Sequence, residues 1–155
     1  MIFVGIDPGQ KGAIAIIDSF GIADVIDMPV INKEIDAKKI YEFLKKEFFD
    51  YHIDVKDIFC LIEKSQSMPG QGVRSVFSYG KGYGKLIAIL ECFNINFVEL
   101  HPVKWKRYFN LIKKNKNESI REAEKKFKNI KIKNDGQAEA LLIAKYAKLN
   151  YSKEG

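Results

Sequence analysis

The N-terminal segment constrains this chain more than any other part of it. Residues 2–6 are an uninterrupted short apolar run that ends on Asp7-Pro8-Gly9. Pro and Gly force a turn there, so the spacing predicts a buried strand that delivers the Asp7 carboxylate to the end of a sheet. Residues 12–18 are again apolar and strand-like, followed by a Ser19-Phe20-Gly21 turn, and strand character resumes over 22–28 until Pro29. Adjacent strands joined by tight turns predict an antiparallel meander.

Helical periodicity takes over at residues 36–49, where Ala37, Ile40, Phe43, Leu44 and Phe48 recur at spacings of three and four. A fourth strand is expected over 57–63, ending on a second carboxylate, Glu63. Residues 64–72 read as a loop. A long helix is expected over 73–93, interrupted by Gly80, Gly82 and Gly84, then a fifth strand over 95–100. Pro102 opens a short basic helix through Phe109. Ser119-Ile120-Arg121-Glu122 has the form of a capping box, with Ile120, Ala123 and Phe127 on one face. A last helix is expected over 135–149. This order predicts a single α/β domain over 1–155 with a mixed five-stranded sheet flanked by helices.

Charge is divided unevenly along the 155 residues. Residues 1–63 carry 7 Lys and Arg against 12 Asp and Glu, a net of −5, and residues 64–155 carry 19 against 8, a net of +11. A basic half joined to an acidic half points to a polyanionic partner, although lysines on solvated helix faces produce the same count. No apolar run approaches the roughly 18 residues of a membrane span, and no basic signal region precedes Asp7. Cys60 and Cys92 are the only cysteines and form no CxxC pair, so neither a disulfide framework nor a zinc site is expected. These features predict an intracellular, cytoplasmic protein with no membrane partner.

Four acids stand out by placement. Asp7 and Glu63 end strands, and Asp135 and Glu139 lie four residues apart at the start of the last helix. Four steps of about 100° bring the latter two onto one face. Singly, Asp7 reads as a turn residue, Glu63 as a solvated strand end and Asp135 as a helix cap. Together, carboxylates converging at a sheet edge need a counter-charge, which hard divalent cations such as Mg²⁺ or Mn²⁺ supply through oxygen ligands. Two such ions about 4 Å apart clamp a phosphodiester between an attacking hydroxide and a leaving oxygen. His52 and His101 have no partner at a recognisable catalytic spacing.

These residues carry a resemblance. Gly5-Ile6-Asp7-Pro8-Gly9, then Ile62-Glu63, then Asp135-Gly136-Gln137-Ala138-Glu139 resemble the RuvC family of Holliday junction resolvases, in the RNase H-like superfamily. Residues 68–84, from Met68-Pro69-Gly70 to Gly82-Tyr83-Gly84, and His101-Pro102-Val103-Lys104-Trp105-Lys106 look most like its phage and prophage branch. The resemblance covers residues 1 to about 147. It implies a homodimeric, Mg²⁺-dependent endonuclease with two ions per active site, making paired nicks across four-way DNA junctions and leaving 5′-phosphates. It further implies that Asp7, Glu63, Asp135 and Glu139 bind the metals and that a Lys assists, with Lys104 and Lys116 matching by position. Plain phosphate contact is the alternative for both lysines. Bacterial members carry the last acids as Asp-x-x-Asp and an aromatic wedge at the position of Gln66.

Lys64, Gln66, Arg74, Lys81, Lys106, Arg107, Lys113 and Lys114 all follow the second acid and are the expected DNA contacts, with Lys85 nearby. Trp105 reads as core rather than as a stacking platform. Residues 80–85 lack the spacing of a phosphate-binding loop, so no nucleotide cofactor is expected. Gly80 and Gly84, one turn apart, are assigned to dimer packing, since glycine in a helix costs about 1 kcal/mol and needs such a return. Two other classes compete. One is a module that binds branched DNA without cutting it. The other is a sugar-kinase or actin-like ATPase, which needs a second domain that 155 residues do not supply.

Overall fold

Strand β1 (Ile2–Asp7) lies at the centre of the sheet. It pairs antiparallel with β2 (Ala13–Asp18), which pairs antiparallel with β3 (Ala23–Asp27). Two further short strands, β4 (Val30–Ile31) and β5 (Glu34–Ile35), form a separate hairpin. On the other side of β1 runs β6 (Ile58–Glu63) in parallel, followed by β7 (Asn96–Leu100), also parallel. The order β3-β2-β1-β6-β7 is the mixed five-stranded sheet expected of an RNase H-like fold. The structure is a computed structural model and describes residues 1–50, 52–64, 66 and 69–152. Met68, part of the resemblance, lies outside the described residues.

Strand alternation sorts the core into two layers. Phe3, Ala13, Ala15, Ile17 and Leu61 face one side, where helices α3 (Pro102–Tyr108), α4 (Lys116–Lys126) and α5 (Asp135–Tyr151) cover them. Val4, Ile6, Ile14, Ile16, Cys60 and Ile62 face the other, under α1 (Ala37–Lys45) and α2 (Val73–Cys92). A residue on a strand between two helix layers is buried on either face, which is why the central strands are nearly all apolar.

The helix starts are set by side chains. Asp36 caps α1, accepting from the Lys39 N–H, and a π-helical turn over Lys46–Asp50 extends it, placing Phe48 in the core. Asn134 caps α5 by accepting from Gln137. The expected capping box at Ser119 is corrected: α4 begins one turn earlier, because Asn115 is extended and accepts from the Glu118 N–H. Ser119 is instead buried inside the helix. The β4–β5 hairpin was not foreseen; Asn32 and Lys33 both adopt left-handed backbone, the signature of a two-residue hairpin turn. Among the described residues no helix is long and apolar enough to cross a membrane.

Two glycines bring α5 onto the sheet. A Cβ on Gly5 would lie 2.2 Å from the Ala140 carbonyl oxygen and 2.3 Å from the Ala144 nitrogen. A Cβ on Gly136 would lie 2.3 Å from the Lys11 carbonyl oxygen, in the β1–β2 turn. Gly136 therefore separates Asp135 from the rest of its helix for a steric reason: the first turn of α5 abuts the backbone beside Asp7.

Candidate functional site

Ile6 pairs with Ile62 across the parallel β1–β6 ladder, so Asp7 and Glu63 follow as register neighbours. Both fall on the α5 side of the sheet, because they continue the Phe3, Gly5 and Phe59, Leu61 alternation. Asp135 is the first helical residue of α5, and Glu139 follows one turn later. The close approach at Gly5 and Gly136 sets this helix over the strand ends. A cleft of about 320 Å³ opens there, lined by Asp7, Asp135 and Glu139 together with Lys11, Lys106, Lys114, Lys116 and Ser119.

The acids perturb one another. Burial pushes the Asp7 carboxyl well above its ordinary value, and Glu139 and Glu63 push it in the same direction, against the opposing charge of Lys106. Burial likewise raises Glu139, with Lys106 opposing and Glu63 and Asp135 adding to the rise. Asp135 is lowered, chiefly by its hydrogen bond from Lys116, whose own value is raised by the same contact. Such a set of like charges is stabilised by cations.

Four contacts occupy the carboxylates. Lys116 Nζ lies 2.6 Å from Asp135 Oδ2, and Lys106 Nζ lies 3.8 Å from Glu139 Oε1. Ser119 donates its hydroxyl to Glu139 Oε1 at 3.4 Å. Trp105 donates its indole N–H to Glu63 Oε2 at 2.7 Å. Among the described residues no group of three or more His, Cys, Asp or Glu is gathered to hold a metal ion. The donor set itself fits one: four carboxylates supply only oxygen, the ligand that Mg²⁺ and Mn²⁺ take.

Other residues singled out in the sequence are distributed more widely. Lys116, at the start of α4, lines the cleft, whereas Lys104 is exposed on α3 and does not. Lys106, two residues further on, lines the cleft 3.8 Å from Glu139. Lys114 lines the cleft; Lys64, Gln66, Arg107 and Lys113 are exposed outside it. Arg74 and Lys81 are exposed on α2, where Lys81 pairs with Glu34. Trp105 is fully buried, as expected of core. Sequence reasoning missed Lys11 and Ser119 as cleft residues. Lys11 stands four residues after Asp7 in the same turn, a usable signal; Ser119 was misread as a cap. Gly80 and Gly84 are exposed on α2, and a Cβ on either would meet nothing within 4 Å. Of the three glycines of α2, Gly82 is the one packed against its own chain: a Cβ there would stand 2.8 Å from Ile35 Cδ1.

The sheet order, the flanking helices and the acid-lined strand ends define an RNase H-like fold. No protein-family model matches the sequence, and no curated protein does. Among solved structures the chain is similar to T. thermophilus RuvC in complex with a Holliday junction substrate, with a TM-score of 0.63 and 14% identity over 97% of each chain. It is also similar to a second Thermus thermophilus RuvC structure, with a TM-score of 0.58 and 14% identity over 93% of this chain and 91% of that one.

Proposed function

We propose that this protein is a divalent-cation-dependent endonuclease of the resolvase type, acting on four-way and other branched DNA. The observation that carries this reading is the cleft that brings Asp7, Asp135 and Glu139 beside Lys106, Lys114 and Lys116, with Glu63 at the neighbouring strand end near enough to raise Asp7. The shared fold with RuvC supports it.

Asp7, Glu63, Asp135 and Glu139 would hold the cations. The chemistry supplied there by two Mg²⁺ ions, with Mn²⁺ substituting, is activation of water and stabilisation of the leaving 3′-oxygen, which leaves a 5′-phosphate. Lys116 lowers the Asp135 carboxyl through its hydrogen bond, and Lys106 opposes the rise that burial gives Glu139. Released from those pairs, the same ammonium groups are placed to meet a phosphate. Lys11 and Lys114 extend the positive rim. The N-terminus of α5 adds positive dipole potential on the same side.

Paired cuts across a junction require two such sites, hence two copies of the chain. The exposed face of α2 suits this role. Val73 and Phe77 are 85% and 71% exposed, and Gly80 and Gly84 continue their stripe with open space above them. The role read from this substrate is recombination or repair of branched DNA inside the cell.

A second reading is a branched-DNA binder that does not cut. The existing Lys116–Asp135 and Lys106–Glu139 pairs favour it, since they already neutralise two of the acids. One gel separates the two. A mobile four-way junction and a linear duplex are incubated with the protein and Mg²⁺ or Mn²⁺. Selective nicking of the junction supports the nuclease; junction binding without nicking in either metal supports the binder.

A further inference from the structure

The contact between Trp105 and Glu63 differs in kind from the lysine contacts to Asp135 and Glu139. Asp135 and Glu139 are met by ammonium groups, which cancel their charge. Glu63 is met by a neutral indole N–H at 2.7 Å. A neutral donor orients a carboxylate without neutralising it, and one hydrogen bond leaves the second oxygen with its lone pairs available.

The fold makes this donor rigid. Leu100, the last residue of β7, pairs with Glu63, and His101 and Pro102 then start α3 at once. The short helix turns Trp105 back over the end of β6. Its rings are fully buried in the α5-side core with Phe3, Leu61 and Leu100, so the N–H edge has little freedom. Buried indoles normally require a partner for that N–H, and Glu63 is the one provided. Lys106 Nζ lies 5.1 Å from the Trp105 ring centre, so the same side chain borders the Lys106–Glu139 pair.

We propose that Trp105 is a positioning residue: it fixes Glu63 through Oε2, so that the other oxygen is held ready for a divalent cation. This rests on the metal reading above. Partners of this kind typically change metal affinity by about 10–100-fold when removed.

Trp105 is the only tryptophan, so the intact chain has a single indole N–H resonance. In metal-free ¹⁵N-labelled protein, Glu63→Ala is expected to move that resonance upfield; a resonance left in place overturns the proposal without reference to metal. Mg²⁺ should shift the wild-type resonance saturably. Trp105→Phe retains the aromatic body and removes the donor. Calorimetry should then show about tenfold weaker Mg²⁺ binding, with junction affinity in EDTA unchanged. A lower Tm with an unchanged Mg²⁺ midpoint assigns Trp105 to packing alone and overturns the proposal. If Trp105→Phe fails to fold, the Glu63→Ala shift and the Mg²⁺ response of the wild type still decide. A Glu63→Ala shift with no Mg²⁺ response in the wild type sinks the metal reading, and this proposal with it, by a distinct signature.

Discussion

Asp7 and Glu63 stand side by side at the ends of two parallel strands, one residue past the Ile6–Ile62 pair. Neighbouring strands are about 4.8 Å apart, so the two carboxylates leave the sheet within reach of a shared cation. Asp7→Asn removes the acid on the central strand while keeping its shape. Junction cleavage is expected to fall by at least about 10³-fold, the scale on which a principal transition-state stabiliser acts, with junction binding retained in EDTA. Gel assays of cleavage and of binding check this, and a fully active Asp7→Asn protein would sink the metal mechanism.

The same substitution has a pH signature in metal-free protein. Burial and the neighbouring acids raise the Asp7 value in the folded state. The folded protein therefore binds this proton more tightly than the unfolded chain does. That contribution to stability is complete below the unfolded value near 3.8 and is lost as pH rises through the raised folded value. Asp7→Asn should accordingly raise the melting temperature in EDTA at neutral pH, by about 2–4 °C per kcal/mol recovered. The gain should shrink on acidification. Melts at a series of pH values, read by circular dichroism, measure it.

Lys106 and Lys104 lie on one helix but only Lys106 lines the cleft, 3.8 Å from Glu139. Lys106→Ala should reduce cleavage by about 10²-fold or more, as loss of a charged group at the reacting phosphate does. Lys104→Ala should change it by a few-fold at most, through weaker phosphate contact. Single-turnover rates at saturating protein compare the two, and equal losses would remove the distinction.

Gly5 is 2.2 Å, at its Cβ position, from the backbone of α5. Gly5→Ala must push the helix away from β1 and carry Asp135 and Glu139 with it. A loss of about 1–3 kcal/mol in stability is expected from overpacking of this kind, with cleavage falling further than the fraction folded. Gly80→Ala, which meets nothing in its own chain, should leave monomer stability unchanged or slightly raised. Chemical denaturation gives both values.

Phe77 is largely exposed on the face of α2 that carries Gly80 and Gly84. Phe77→Asp should shift the chain from dimer to monomer in sedimentation velocity and replace paired junction nicks with single ones. A wild-type chain that sediments as a monomer at assay concentration would remove α2 as the pairing surface.

Local sequence determined the parts of this protein that depend on near neighbours. The Asp7-Pro8-Gly9 stop placed a carboxylate at the end of a central strand, and the alternation of β1 and β6 sorted Asp7 and Glu63 onto one face. Helices α2, α3 and α5 began within a residue of their expected starts, because apolar spacing, Pro102 and the turn signals act over a few residues. The start of α4 was misjudged because Ser119 is needed in the core beside Glu139, while Asn115, four residues earlier, supplies the cap. What only tertiary structure decided is which side chains meet. Lys106 rather than Lys104, Lys116 on Asp135 and Trp105 on Glu63 all depend on α3, α4 and α5 folding back over β1 and β6. Those contacts join residues 19 or more positions apart, and no local spacing encodes them. The steric reason they form is the bare backbone at Gly5 and Gly136, which lets α5 settle directly onto the ends of the strands.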